Sequence, residues 1–187
     1  DWKNNRNSFL ITGSVMDTSS VDTIIRNVDE PTNYTGYLFK EMLIKKGLDI
    51  KKLNKGIYSN SGTEIATHYS KPLPSILKNL MVESDNLTAE LLVKIIGYEY
   101  SQIEGNWQNG LHAMKVFLHD EVSLDTTSFS ISDGSGVSRY NYSSANNFIS
   151  LLSWAYHNSE IRNNLLSILS FTGEKGTLLD RALPNGV

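Results

Sequence analysis

The stretch LPSILKNLMVESDNLTAELLVKIIG, residues 73–97, decides the fold class of this chain. Two apolar stripes with helical spacing are separated by four polar residues, Glu83-Ser84-Asp85-Asn86. Residues three and four apart share a helix face, so each stripe predicts an amphipathic helix. The first stripe comprises Leu73, Ile76, Leu77, Leu80 and Met81, and the second comprises Leu87, Leu91, Leu92, Ile95 and Ile96. Gly97 is predicted to end the second helix.

Most of the predicted strands lie before this stretch, and most of the predicted helices lie after it. Upstream, four short segments predict strands: 8–16, 21–28, 56–59 and 63–69. Pro31 is predicted to open a helix that Gly47 closes. Downstream, apolar residues predict three helices within 107–118, 148–155 and 161–169, with one short strand over 129–131. Strands come first and helices follow without βαβ alternation, which favours the α+β class. The proline-containing segment 70–74 predicts a boundary between regions 1–70 and 71–187.

Composition excludes several classes of protein. The 187 residues include 17 lysines and arginines and 20 aspartates and glutamates, giving a net charge of −3. This argues against general nucleic-acid binding, which needs a clustered basic surface. The absence of cysteine excludes disulfides, thiolate zinc sites and cysteine nucleophiles, and no apolar run reaches the length of a membrane span. The first residues form neither a start methionine nor a signal peptide, so we expect the chain to begin within a longer protein.

The polar break carries the first candidate site, Ser84-Asp85-Asn86. A serine hydroxyl and an amide on one tight connection can face a cleft together, where the serine relays a proton and the asparagine binds a substrate amide. The same residue types are preferred as caps of helix N-termini. The residues alone leave both interpretations open, and capping is the more frequent one.

The segment Asp133-Gly134-Ser135-Gly136 carries the second candidate site. Two glycines around a serine allow positive φ angles and close approach of a ligand. The spacing matches neither a phosphate loop nor a Gly-x-Ser-x-Gly nucleophile elbow. Considered alone, an ordinary turn after a strand is the more frequent reason for such a sequence.

Two further patterns carry less weight. Ser75 and Lys78 form the single Ser-x-x-Lys of the chain, a spacing that suits a nucleophile and its base. They lie nine residues before Ser84, however, and a continuous helix would separate them by about 13 Å. His112 and His119 are seven residues apart rather than four, so no metal site is predicted. No cofactor is predicted either.

Three stretches in a fixed order carry a resemblance to a known family: HYSKPLPSILKNLMVESDNLTAELL (68–92), GNWQNGLHAMKVFL (105–118) and SDGSGVSRYNYSSANNF (132–148). Together they resemble the penicillin-binding D-alanyl-D-alanine carboxypeptidases of the carboxypeptidase/endopeptidase group, which carry an inserted domain. GEKGTLLDR (173–181) is similar to that group's loop before its last motif. The resemblance implies that 1–70 is the β-rich C-terminal part of the inserted domain. Region 71–187 would be the helical part of a penicillin-binding, β-lactamase-like catalytic domain.

The resemblance also implies a serine acyl-transfer mechanism on peptidoglycan stem peptides, with β-lactams as mimics of the substrate. This family uses three motifs, Ser-x-x-Lys, Ser-Asp-Asn and Lys-Thr-Gly. Ser84 and Asn86 match the second motif as proton relay and amide binder, and Asp85 would be structural. Ser135 and Val137 are inferred to line the cleft. The enzyme would act in the periplasm or another extracytoplasmic space.

The first and third motifs do not occur at the family's positions. Ser75 and Lys78 lie in the wrong place, and Lys175-Gly176-Thr177 has the letters of the third motif in the wrong order. We therefore expect this chain alone to be inactive. Bare apolar faces predict self-association or a missing segment of the same protein. The alternative reading is a non-catalytic relative that only binds peptidoglycan.

Overall fold

The computed structural model describes residues 7–19, 23–57, 59, 61–173 and 175–181. The chain divides into two compact units, Asp1–Thr67 and His68–Val187. In the residues described, no helix is both long enough and apolar enough to cross a lipid bilayer.

The first unit contains one described helix, α1, Pro31–Lys45. Pro31 occupies its first turn, where the missing N–H costs nothing. Lys46 caps its end, and Gly47 follows with φ +88°, which a residue without a side chain adopts freely. The prediction of a helix opened by Pro31 and closed by Gly47 is confirmed. The segments around α1 are tied locally, since Asp29 donates its backbone N–H to Asn7 Oδ1 over 2.7 Å.

The strands predicted before residue 70 are not formed among the described residues. Described residues of 8–16, 23–28, 56–59 and 63–69 make no ladder, while residues 21, 22 and 58 lie outside the described residues. A strand needs a partner for its backbone N–H and C=O groups, and none of the described residues supplies one. Ile11 and Ile65 are more than 90% exposed, so no packed face compensates. Among the described residues the predicted β-rich region is therefore absent, and the α+β assignment gives way to a mainly helical fold.

The second unit contains five described helices. They are α2 Leu73–Glu83, α3 Asn86–Ser101, α4 Trp107–Asp120, α5 Ala145–His157 and α6 Ser159–Ile168. All five were predicted from apolar periodicity, as was the break between α2 and α3. The short strand predicted over 129–131 is reduced to one antiparallel bridge between Ser130 and Tyr142, because no further residues pair beside it.

One predicted boundary in this unit is wrong. Gly97 does not end α3, which continues to Ser101. Gly97 is instead a point of close contact with α4, because a Cβ there would lie 2.6 Å from the Gly110 backbone nitrogen. Such a distance is too short for any side chain, so the glycine serves helix packing rather than capping.

The core of this unit lies beside α4 and α5. Val122, Leu124 and Phe129 are buried together, and Trp154 of α5 packs against them. Phe117 meets Trp154 edge to face at 5.1 Å between ring centroids, a favoured aromatic geometry. α2 packs on α6, and α3 packs on α4. These contacts hold the α2–α3 junction and the 129–143 segment in one unit.

Candidate functional site

Ser84 lies at the junction between α2 and α3 with an unusual backbone conformation. Its φ and ψ are 54° and 51°, the left-handed region, which L-residues other than asparagine and aspartate seldom adopt. Its backbone N–H donates to the Leu80 carbonyl, which closes α2. The side chain is exposed, and Ser84 Oγ makes no hydrogen bond to the described residues. The hydroxyl therefore faces outward and is open to a ligand.

Asp85, between the two candidate site residues, caps α3. Its Oδ1 accepts from the Thr88 backbone N–H over 3.2 Å, and its Oδ2 accepts from Thr88 Oγ1 over 2.6 Å. The Thr88 hydroxyl and amide hold the pKa of the Asp85 carboxyl below its usual value. Asp85, the middle residue of Ser84-Asp85-Asn86, is thus a helix cap, as the capping interpretation predicted. Asn86 begins the helix with an exposed side chain that bonds to none of the described residues.

The loop after α6 supports the end of α2 just before Ser84. Ser170 Oγ donates to the Met81 carbonyl over 3.0 Å, and the Thr177 backbone N–H donates to the Val82 carbonyl over 3.1 Å. The last carbonyls of a helix have no partner within the helix, so these bonds satisfy two of them. The loop therefore fixes the direction in which the chain enters Ser84.

Asp133 shapes the glycine-rich turn, residues 133–136. Its Oδ1 accepts from the Gly136 N–H over 2.8 Å and from Asn141 Nδ2 over 2.7 Å, and its Oδ2 accepts from the Ser138 N–H over 2.5 Å. Burial alone would raise the pKa of the Asp133 carboxyl, but these bonds outweigh burial and the pKa is lowered. Val137 follows the turn with 68% of its surface exposed.

Glu90 of α3 anchors the same turn and was missed in the sequence. Its Oε1 accepts from Ser135 Oγ over 2.6 Å and from the Ser135 N–H over 3.0 Å. Its Oε2 accepts from Trp107 Nε1 over 2.7 Å and from the Gly134 N–H over 3.1 Å. Because Ser135 donates its hydroxyl proton to Glu90, the Ser135 oxygen is left as an acceptor. One signal in the sequence could have pointed to Glu90: it lies four residues after Asn86, and this spacing places both residues on one helix face.

The surroundings of Glu90 favour the ionised form of its carboxyl group. Burial raises the pKa of Glu90, but hydrogen bonds from Ser135 and Trp107, followed by those from Gly134 and the Ser135 amide, hold the pKa below its usual value. Lys94 lies over the Trp107 ring at 4.0 Å from its centroid, a cation–π distance. The negative charge of Glu90 is thus balanced by hydrogen bonds from Trp107, Gly134 and Ser135.

An open apolar groove of about 570 Å³ borders the glycine-rich turn. Asp133, Gly134 and Gly136 form part of its edge. Its floor is contributed mainly by α4, α5 and the segment between them, namely Met114, Phe117, Leu118, Phe129, Phe148 and Leu151. A groove of this size and character can accept an apolar group of a ligand or another apolar segment.

The remaining candidates do not join this site. Ser75 lies in the first turn of α2 and Ser84 follows its last residue, so the continuous helix keeps them about 13 Å apart along its axis. Among the described residues there is no group of three or more histidines and carboxylates that could hold a metal ion.

Comparison with known proteins identifies the family. The sequence profile of the D-Ala-D-Ala carboxypeptidase 3 (S13) family matches residues 1–187. The chain belongs to this family.

Two curated relatives have informative names. The chain is 34% identical over 154 residues to a D-alanyl-D-alanine carboxypeptidase of Actinomadura sp. (strain R39), covering 80% of this chain and 28% of that protein. It is 32% identical over 120 residues to the D-alanyl-D-alanine carboxypeptidase DacB of Haemophilus influenzae, covering 64% of this chain and 25% of that protein.

A solved structure shares the fold. Penicillin binding protein 4 (dacB) from Haemophilus influenzae, in complex with a β-lactam, matches with a TM-score of 0.73 and 28% identity. The match covers 82% of this chain and 35% of that chain. The chain thus spans about a quarter to a third of the length of these relatives. The predicted resemblance to penicillin-binding carboxypeptidases is confirmed.

Proposed function

We propose that this chain is part of a serine-type D-alanyl-D-alanine carboxypeptidase that cleaves peptidoglycan stem peptides through an acyl-enzyme. One observation carries the proposal: Ser84 and Asn86 present an exposed hydroxyl and amide on either side of a capping aspartate. A serine from a Ser-x-x-Lys motif elsewhere in a longer protein would attack the peptide carbonyl. The bond to the terminal D-alanine then breaks, and water later releases the acyl group.

Ser84 and Asn86 have distinct roles in this proposal. Ser84 Oγ relays the proton that the departing D-alanine nitrogen needs, and a hydroxyl without an internal partner suits a relay. Asn86 hydrogen-bonds a substrate amide, using both its donor and its acceptor. Ser135 and Val137 line the same cleft as binding residues, with the Ser135 oxygen accepting. β-Lactams would occupy the cleft as substrate mimics.

We further propose that residues 1–70 belong to an inserted domain and residues 71–187 to the catalytic domain. The enzyme would act in the periplasm or another extracytoplasmic space, where peptidoglycan is found. The apolar groove beside the turn would be covered by self-association or by another segment of the same protein, because large bare apolar surfaces favour association. Sedimentation would test this point, and a monodisperse monomer would contradict self-association.

Covalent labelling with fluorescent penicillin tests the proposed activity. The isolated chain should not be labelled, whereas the longer gene product should be labelled if it supplies Ser-x-x-Lys and Lys-Thr-Gly. In that longer protein, Ser84→Ala should slow labelling by about a hundredfold, as loss of a proton-transfer group does. Ser75→Ala serves as the matched control and should label normally. Labelling of the isolated chain would mean that the nucleophile lies within these 187 residues. Peptidoglycan binding without labelling of the longer protein would favour the non-catalytic relative.

A further inference from the structure

Glu90 is the point where three parts of the second unit meet. Its two carboxylate oxygens accept four hydrogen bonds, from Trp107 of α4 and from Gly134 and Ser135 of the glycine-rich turn. The donors are 17, 44 and 45 residues away along the chain. One side chain therefore fixes the turn and the start of α4 onto α3.

The position of Glu90 on α3 links the two halves of the proposed site. Asn86 and Glu90 are four residues apart, so one helical turn separates them on one face. Close backbone contact fixes the spacing further, since a Cβ on Gly134 would lie 2.7 Å from the Ala89 carbonyl oxygen. The turn thus lies directly on α3, and its distance from Asn86 depends on contacts made by this helix.

The four donors require a carboxylate in particular. A glutamine at this position would offer one acceptor oxygen and an NH₂ group that faces other donors. At least two of the four bonds would then be lost. Glu90 is also partly buried, which makes unmatched polar groups costly there.

We propose that Glu90 is a positioning residue: its carboxylate holds Ser135 at a fixed distance from Asn86, so that both bind the same peptide. This inference rests on the proposed function, in which Ser135 and Asn86 share a cleft. Both oxygens of Glu90 already accept hydrogen bonds within the protein, so Glu90 acts on the peptide only through Ser135.

The first arm of the test uses this chain alone and needs no activity. Amide hydrogen exchange at Gly134 and Ser135 is compared between the wild type and Glu90→Gln, with Glu99→Gln as control. Glu99 lies on the same helix with an exposed side chain that bonds to none of the described residues. Exchange at one or both of these amides should accelerate about tenfold or more in Glu90→Gln, because they bond to different carboxylate oxygens and glutamine keeps only one acceptor oxygen. Unchanged exchange would overturn the positioning role.

The second arm measures acylation by fluorescent penicillin in the longer enzyme. Glu90→Gln should raise the penicillin concentration for half-maximal acylation about tenfold and leave the limiting rate within about twofold, because binding rather than chemistry is affected. Glu90→Asp retains the charge and should fall between the wild type and Glu90→Gln, and it replaces Glu90→Gln if that variant does not fold. Glu99→Gln should match the wild type.

The two arms separate the possible failures. Faster exchange with unchanged half-maximal concentration would show that the turn is not part of the cleft, which overturns the proposal. A roughly tenfold lower limiting rate with an unchanged half-maximal concentration would also overturn the proposal, because a positioning residue should affect binding. If the unmodified longer enzyme is not labelled, the proposed function fails and the positioning role fails with it. Unchanged exchange with normal labelling overturns the positioning role alone.

Discussion

Replacing Gly176 by alanine should destabilise the second unit far more than the same change at Gly173. Both glycines lie in the loop after α6 and have positive φ, +99° and +76°. A Cβ on Gly173 would meet no atom within 4 Å, whereas a Cβ on Gly176 would overlap the Val82 carbonyl oxygen and lie 2.6 Å from Val82 Cγ1. The pair thus separates backbone strain from steric overlap.

The magnitudes follow from these two differences. A left-handed alanine costs about 1 kcal/mol, and part of that cost is offset because alanine restricts the unfolded chain. Gly173→Ala should therefore lower the free energy of unfolding by about 0.5 kcal/mol. Gly176→Ala adds displacement of the loop and loss of the Thr177 N–H to Val82 carbonyl bond, a further ~1.5 kcal/mol. The total is about 2 kcal/mol.

Urea unfolding monitored by far-ultraviolet circular dichroism measures both variants. Amide exchange at Thr177 gives a local readout: it should accelerate in Gly176→Ala and remain near the wild-type rate in Gly173→Ala. Equal losses of stability in the two variants would refute the reasoning, because they would mean that the loop does not press against the end of α2. In the proposed longer enzyme, a penicillin-labelling defect specific to Gly176→Ala would link that contact to Ser84.

Three further predictions follow from the described contacts. Asp85→Ala should lower the free energy of unfolding by about 1 kcal/mol in thermal or urea unfolding, while Asp85→Ser, which can still cap, should lose much less. Gly110→Ala should lower it by more than about 3 kcal/mol, because its Cβ would overlap the Val93 carbonyl; an undisturbed melting temperature would contradict the close α3–α4 packing. Stability should fall as pH drops below about 4, since Glu90 and Asp133 have lowered pKa values and the unfolded chain binds more protons there. Acid titration of Glu90→Gln should show a weaker dependence, and an identical curve would refute the assignment.

Local periodicity was sufficient to predict the helices of the second unit. Apolar spacing identified α2 to α6, and Pro31 with Gly47 identified the ends of α1. The polar break was also located, because a change of polarity within a strong helical pattern is itself a local signal. These features depend on residues three to four positions apart, which the sequence displays directly.

Features that depend on distant partners could not be read in this way. The β-branched segments of the first unit resemble strands locally, but a strand exists only with a neighbour to pair with, and Ile11 and Ile65 have none among the described residues. Gly97 looked like a helix end because its packing partner, Gly110, lies on another helix. Glu90 was overlooked for the same reason, since its four donors come from positions 107 to 135.

The α2–α3 junction combines strain with support from outside. A left-handed serine costs about 1 kcal/mol, and such conformations persist where the surroundings over-determine them. Here the surroundings act from both sides: Ser170 and Thr177 bind the last carbonyls of α2, and Asp85 caps α3. In the proposed proton relay, these restraints would hold the Ser84 hydroxyl in one direction.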